Sequence, residues 1–69
     1  MQEPVLDSYL DREVVVFIDG QDIAGEFAGY DDRSYIIKLY DEYVTINRRV
    51  VEMVMPVAIW DKIKEAHND

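Results

Sequence analysis

Turn signals divide residues 13–55 into five short apolar runs, and this spacing is the strongest constraint on the fold. The run Val14–Ile18 is β-branched and aromatic, apolar at every position, and it ends at Asp19-Gly20, a dipeptide typical of tight β-hairpin turns. Further polar breaks follow at residues 31–33, 41–42 and 47–49. Five short strands in a meander predict a strongly bent antiparallel sheet or small barrel, because closure leaves fewer exposed strand edges.

A short helix is predicted on either side of these strands. After Pro4, apolar residues recur at helical spacing and predict an amphipathic helix over residues 4–11. After Pro56, a second helical pattern predicts a helix over residues 57–66, with Trp60 fastening it to the sheet or to a neighbouring subunit. The predicted fold class is therefore mostly β, as a single domain over residues 1–69 with all strands within 13–55.

The chain is short for an independent fold. Its 69 residues allow one domain with a modest core, and it has no cysteine to form a disulfide or a thiolate metal site. Hydrophobic residues make up 49% of the sequence, which is ample material for an interface between subunits. We therefore expect a homo-oligomer. No apolar run is long enough for a membrane span and the amino terminus is acidic, so we expect a cytoplasmic protein without a membrane partner.

The charge balance restricts the possible partners. Fifteen acidic residues against seven basic ones give a net charge of −8, whereas a general nucleic-acid binder is basic because it neutralises phosphates. Broad, charge-driven binding of RNA or DNA is thus disfavoured, although a small local basic site remains compatible with the sequence. Arg48-Arg49 is the densest positive charge, and it forms either such a site or a solvated turn.

No residue pattern indicates catalysis. Without cysteine, and with its only histidine, His67, near the chain end, the sequence carries no known catalytic motif, so we expect no enzyme and no cofactor. The acidic turns at Asp19, Asp22, Asp31 and Asp32 allow a divalent cation in principle. Aspartate in turns more commonly accepts hydrogen bonds from its own backbone, however, and we expect no metal site.

Several short motifs occur in an order found in a known family. They are Gln2–Leu6, Asp19-Gly20, Gly25, Tyr30-Asp31, Ile36-Ile37-Lys38 and Val50–Pro56. Their order and spacing over residues 2–56 resemble the Sm-like superfamily, and bacterial Hfq-type ring proteins in particular. The resemblance implies a strongly bent five-stranded fold with an amino-terminal helix, whose edge strands pair between subunits to form a ring of about five to seven copies.

The same resemblance implies a site for single-stranded, uridine-rich RNA around the ring pore. The residues assigned to it are Gln2, Arg33, Tyr35, Asn47, Arg48 and Arg49. Arg33 stands where the Hfq-type pocket has a stacking aromatic, and Asn47-Arg48-Arg49 replaces a Tyr-Lys-His loop. The arginines would hold phosphate or stack on bases, Asn47 would read a base edge, and Tyr35 is the tyrosine best placed for stacking.

Other departures weaken the RNA prediction. The Arg-Gly pair and the asparagine of other Sm motifs are missing. On the opposite face, Asp22 and Ala24 replace the Lys and Gln of the adenosine-binding surface of Hfq, so we expect no RNA there. The alternative function is a homo-oligomeric ring that has lost RNA binding and interacts with other proteins. Whatever the function, Ile37 and Leu39 share one face of the third strand and are expected to be buried.

Overall fold

The computed structural model describes residues 3–67 and consists of one five-stranded antiparallel sheet with a short helix at each end. The helices are α1 (Pro4–Asp7) and α2 (Val57–His67). The strands are β1 (Glu13–Ile18), β2 (Gln21–Tyr30), β3 (Ser34–Leu39), β4 (Glu42–Asn47) and β5 (Met53–Pro56). A 3₁₀ turn, Arg48–Val50, joins β4 to β5. The predicted mostly-β class is confirmed.

The strands lie in the order β4-β3-β2-β1-β5. Consecutive strands β1 to β4 form a meander, and β5 returns to pair with β1, with Val15 opposite Met55. Within the described residues, β4 and β5 are therefore the edges of the hydrogen-bonded sheet. Each edge leaves one row of backbone donors and acceptors without a strand partner among residues 3–67.

Two-residue turns with positive φ close the first and third hairpins. Asp19 (φ 50°) and Gly20 (φ 79°) join β1 to β2, as the sequence predicts. The β3–β4 turn was predicted at residues 41–42 but lies one residue earlier, at Tyr40 (φ 50°) and Asp41 (φ 65°). The reason is the strand register, which pairs Leu39 with Glu42 and so places Glu42 inside β4.

Helix α1 is shorter than the predicted 4–11, because it ends at Asp7. Beyond it the chain turns, and Asp11 adopts a positive φ of 64°. The backbone N–H of Asp11 then donates to the carbonyl oxygen of Phe27 at 2.9 Å. The N–H of Phe27 in turn donates to the carbonyl oxygen of Arg12, also at 2.9 Å. Ser8, Tyr9 and Leu10 still donate to carbonyl oxygens three or four residues earlier, so the bonds to β2 replace helical hydrogen bonds only from Asp11 onwards.

Both faces of β1 are buried, which explains why its sequence is apolar at every position. The inner face of the sheet carries the main core, formed by Leu6, Val14, Val16, Phe27, Tyr35, Ile37 and Ile46. On the outer face, Val15 is buried and Phe17 meets Trp60 of α2 edge-on, with ring centroids 5.0 Å apart. Helix α2 packs on β1 and β5, which confirms that Trp60 fastens it to the sheet.

The prediction for β3 is half right. Ile37 is fully buried, whereas Leu39 is only partly buried because it lies at the end of β3, next to the exposed turn. Close packing of β2 on β3 depends on Gly25. A Cβ atom at that position would lie 2.6 Å from Cγ2 of Ile37, 2.7 Å from Cδ2 of Leu39 and 2.8 Å from the carbonyl oxygen of Lys38.

Candidate functional site

The β2–β3 turn and the 3₁₀ turn after β4 lie side by side and form what we call the arginine cluster: Arg33, Asn47, Arg48 and Arg49. Two features of the backbone hold the turns together. Ser34 pairs with Asn47 across β3 and β4, and the N–H of Arg48 donates to the carbonyl oxygen of Arg33 at 2.8 Å. With Asp32, the cluster lines a cleft of about 500 Å³. Four of the predicted RNA-binding residues are therefore brought together.

Side chains fix the shape of both turns. The Asp31 carboxylate accepts hydrogen bonds from the backbone N–H groups of Arg33 (2.8 Å) and Ser34 (2.7 Å), which lower its pKa. The Asn47 side-chain oxygen accepts the N–H of Arg49 at 2.8 Å and caps the 3₁₀ turn. Asn47 was predicted to read a base edge. Its oxygen is already engaged by the backbone, so its amide NH₂ is the group left to meet a ligand.

Arg48 is engaged within the chain. Its guanidinium donates to both carboxylate oxygens of Glu3 at 2.7 and 2.8 Å, and to the carbonyl oxygen of Asp31 at 2.9 Å. It also lies over the ring of Tyr35, 5.0 Å from the centroid. The hydrogen bonds to Glu3 raise the pKa of Arg48 and lower the pKa of Glu3. With only 25% of its side chain exposed, Arg48 clamps the amino-terminal segment to the loops.

Tyr35 belongs to the core and does not offer a surface for stacking. It is 8% exposed, and its ring packs against Phe27 on one side and under Arg48 on the other. This placement counts against the predicted contact with a base. The signal was present in the sequence, since Tyr35 alternates with Ile37 in β3 and therefore shares the buried face.

Arg33 and Arg49 provide the accessible positive charge of the cluster. Both side chains are exposed, and neither forms an ion pair with any residue from 3 to 66. Asp32 lines the same cleft and offsets part of this charge. Gln2, the remaining residue predicted to contact RNA, lies outside the described residues.

Sequence patterns did not indicate the contacts that Glu3 makes. Besides binding Arg48, Glu3 donates its backbone N–H to the hydroxyl oxygen of Tyr30 at 3.1 Å, and that hydroxyl donates to the Asp7 carboxylate. The bond to Asp7 raises the pKa of Tyr30. This network docks α1 beside the arginine cluster. Glu3 and Arg48 are 45 positions apart, so no local spacing could have indicated the pair.

Other kinds of site find little support in the described part of the chain. Among residues 3–66, no three histidine or acidic side chains converge in a way that could hold a metal ion. No helix in the described residues is both long and apolar enough to cross a bilayer.

The fold and the cluster define a small β domain with two edge strands and a basic pair of loops at one end of β3. Protein-family models give no match to the sequence, and comparisons with curated proteins and with solved structures give no significant match.

Proposed function

We propose that the chain is a subunit of an Sm-like homo-oligomeric ring that binds short, uridine-rich, single-stranded RNA at the arginine cluster, without catalysis. The observation that carries this proposal is the meeting of two loops. The β2–β3 turn and the 3₁₀ turn, to which the family resemblance assigns the RNA pocket, lie together and place Arg33, Asn47 and Arg49 around one cleft. A chain without cysteine suits the reducing cytoplasm.

The edges of the sheet support assembly. Strand β4 exposes 67% of Tyr43, and β5 exposes 48% of Met53, so both edges carry apolar side chains in contact with solvent. If β4 of one copy pairs with β5 of the next, each subunit uses two different edges, and repetition of this contact around an axis closes a ring. The ring would contain about five to seven copies and would repeat the arginine cluster in each subunit.

The residues of the cluster then have distinct roles. Arg33 and Arg49 contact phosphate or stack on bases through their guanidinium planes. The amide of Asn47 donates to a base edge. Arg48 acts as a positioning residue, because its bonds to Glu3 and Asp31 hold the two loops and the amino-terminal segment in place.

A second candidate function is a ring that binds proteins instead of RNA. It is favoured by the net charge of −8, by the use of Arg48 within the chain and by the burial of Tyr35. Each of these features reduces the attraction of the cluster for an anionic polymer, or its capacity to stack bases.

The two functions are separated by titrating fluorescently labelled oligo-U and oligo-A into the protein at two salt concentrations. We expect oligo-U to bind more tightly, with a shallow salt dependence because few phosphates are contacted. The variant Arg33→Ala/Arg49→Ala is expected to lose binding. The control Arg12→Ala/Lys62→Ala removes the same charge from exposed positions outside the cleft and is expected to bind RNA.

Absence of any affinity of the wild type for either RNA at low salt would refute RNA binding and favour the protein-binding ring. An equal loss of RNA affinity in the cluster variant and in the control variant would show that binding depends on the total charge of the protein, and not on this cleft.

A further inference from the structure

An acidic groove lies at the end of β3 opposite to the arginine cluster. Arg33 immediately precedes β3, whereas Tyr40 and Asp41 immediately follow it. The groove has a volume of about 650 Å³ and reaches from the start of β1 across β2 to the β3–β4 turn. Gly25 and Leu39 are among its lining residues, together with four acidic residues: Glu13, Asp22, Glu26 and Asp41.

The groove keeps a net negative charge among the described residues, because its lining brings one lysine, Lys38, to four carboxylates. Glu13 lies directly opposite Glu26 in the β1–β2 ladder, a cross-strand pair of like charges that destabilises a sheet. Lys38 lines the groove, lies opposite Glu26 in the β2–β3 ladder and offsets part of this charge, although its ammonium group also lies 6.0 Å from the centroid of the Tyr43 ring. None of the four carboxylates forms an ion pair with a residue between 3 and 66. A cationic partner would relieve this repulsion.

Tyr40 adds an aromatic surface at the rim of the same groove. It is 98% exposed and has a positive φ of 50°, a conformation that tyrosine rarely adopts and that Asn, Asp or Gly would adopt more readily. Its ring gains no burial within the described chain that would offset this cost. An exposed aromatic ring beside unpaired carboxylates suits a guanidinium group, which stacks on the ring and forms paired hydrogen bonds with carboxylates.

We propose that this groove docks an extended, arginine-containing segment of a partner protein. The carboxylates attract the positive charge, and Tyr40 selects arginine over lysine because the planar guanidinium stacks more favourably than an ammonium group. The apolar part of the lining, which includes Ala24 and Leu39, receives the aliphatic part of the arginine side chain. RNA is repelled from the groove. The proposal goes beyond the function proposed for the arginine cluster and does not depend on it.

The test uses a labelled peptide in which arginine and serine alternate, together with versions carrying lysine or glutamate in place of arginine. Fluorescence anisotropy is expected to show the highest affinity for the arginine peptide, a lower affinity for the lysine peptide and no binding of the glutamate peptide. The Arg33→Ala/Arg49→Ala variant is expected to bind the arginine peptide as the wild type does, so this proposal and RNA binding can fail separately.

Two variants test the groove itself. Tyr40→Asn removes the ring but suits the positive φ, so the turn is kept while affinity for the arginine peptide falls about two- to fivefold, to the level of the lysine peptide. Asp22→Asn/Glu26→Gln is expected to weaken binding about tenfold. The control Asp61→Asn/Glu65→Gln removes the same charge from α2, outside the groove, and is expected to bind as the wild type does.

Three results would overturn the proposal. The first is an arginine peptide that fails to bind. The second is equal weakening by the groove variant and the α2 control, which would indicate attraction to net charge alone. The third is equal affinity for arginine and lysine peptides together with no effect of Tyr40→Asn, which would show that the exposed ring has no part in binding.

Discussion

At the scale of single residues, Arg48 shows how contacts within the chain can engage a side chain that the sequence pattern marks only as positive charge. The sequence placed it in a basic loop, and the structure places it there next to Arg33. Its guanidinium, however, is held by Glu3, Asp31 and the ring of Tyr35. A local pattern reveals the density of charge, but the bonding partner of Arg48 is a residue 45 positions away in the sequence.

The ion pair between Glu3 and Arg48 is expected to make stability depend on pH. The hydrogen bond from Arg48 holds the pKa of Glu3 below its ordinary value of 4.5, so the pair stabilises the fold fully above pH 4.5. This contribution is lost as the pH falls through the lowered pKa, where the carboxylate takes up a proton. Thermal denaturation should therefore show Glu3→Gln melting below the wild type at neutral pH, with the difference shrinking under acidic conditions.

Arg48→Lys provides a matched test of the same clamp. Lysine keeps the charge but cannot reproduce the paired hydrogen bonds to Glu3 or the contact of a guanidinium group with the ring of Tyr35. We expect its melting temperature to lie between those of the wild type and Arg48→Ala. A lysine variant as stable as the wild type would show that charge alone holds the amino-terminal segment.

At the scale of elements, the sequence predicted what short-range chemistry determines. The sequence predicted the Asp19-Gly20 turn, a strand β1 that is apolar on both faces and the helix after Pro56, because each follows from local preference or periodicity. The early end of α1 and the turn at Tyr40 were not predicted. The early end of α1 depends on the backbone hydrogen bonds that Asp11 and Arg12 make with Phe27. The turn at Tyr40 depends on a strand register that overrides the conformational preference of tyrosine. Such long-range constraints leave no local sequence signal.

Strand β3 offers a paired test of the core. Ile37→Ala is expected to lower the free energy of unfolding by about 2–5 kcal/mol, since Ile37 is fully buried. Leu39→Ala should cost less, because Leu39 is only partly buried. Chemical denaturation of both variants measures the difference. An equal or larger loss for Leu39→Ala would contradict the burial described for this strand.

The close contact between β2 and β3 predicts that replacing Gly25 or Gly29 with alanine has different effects on stability. Gly25→Ala is expected to destabilise the fold by about 1–3 kcal/mol, because the new Cβ would overlap the tightly packed β3. Gly29→Ala is the control, since a Cβ there would lie 3.6 Å from the nearest atom, at ordinary contact distance. Denaturant midpoints for the two variants should differ clearly, and similar midpoints would argue against a close approach at Gly25.

At the scale of the whole molecule, charge is divided between the two ends of β3. The arginine cluster lies at one end and the acidic groove at the other, so a chain with a net charge of −8 still presents a local basic surface. A ring would repeat each surface in every subunit and so raise its local charge density. The sequence could indicate the basic loops, but not the groove, whose residues come from three separate strands and a turn.

Assembly is also expected to depend on the sheet edges. Met53→Lys places a charge on the exposed edge strand β5, where it should disfavour strand pairing between copies. Ile59→Lys is the matched control, because it places the same charge at an apolar position of α2 that is about equally exposed. Sedimentation velocity should show a shift toward monomer for Met53→Lys alone. Similar shifts in both variants would mean that β5 is not the edge that pairs.

The most direct test of the proposed ring is the molar mass of the wild-type protein in solution, measured by light scattering during size-exclusion chromatography at micromolar concentration. We predict a single species with a mass of about five to seven copies, because closure of a ring pairs the β4 and β5 edges that one chain leaves open. A stable monomer at that concentration would contradict the ring, and with it the proposed RNA site around the pore.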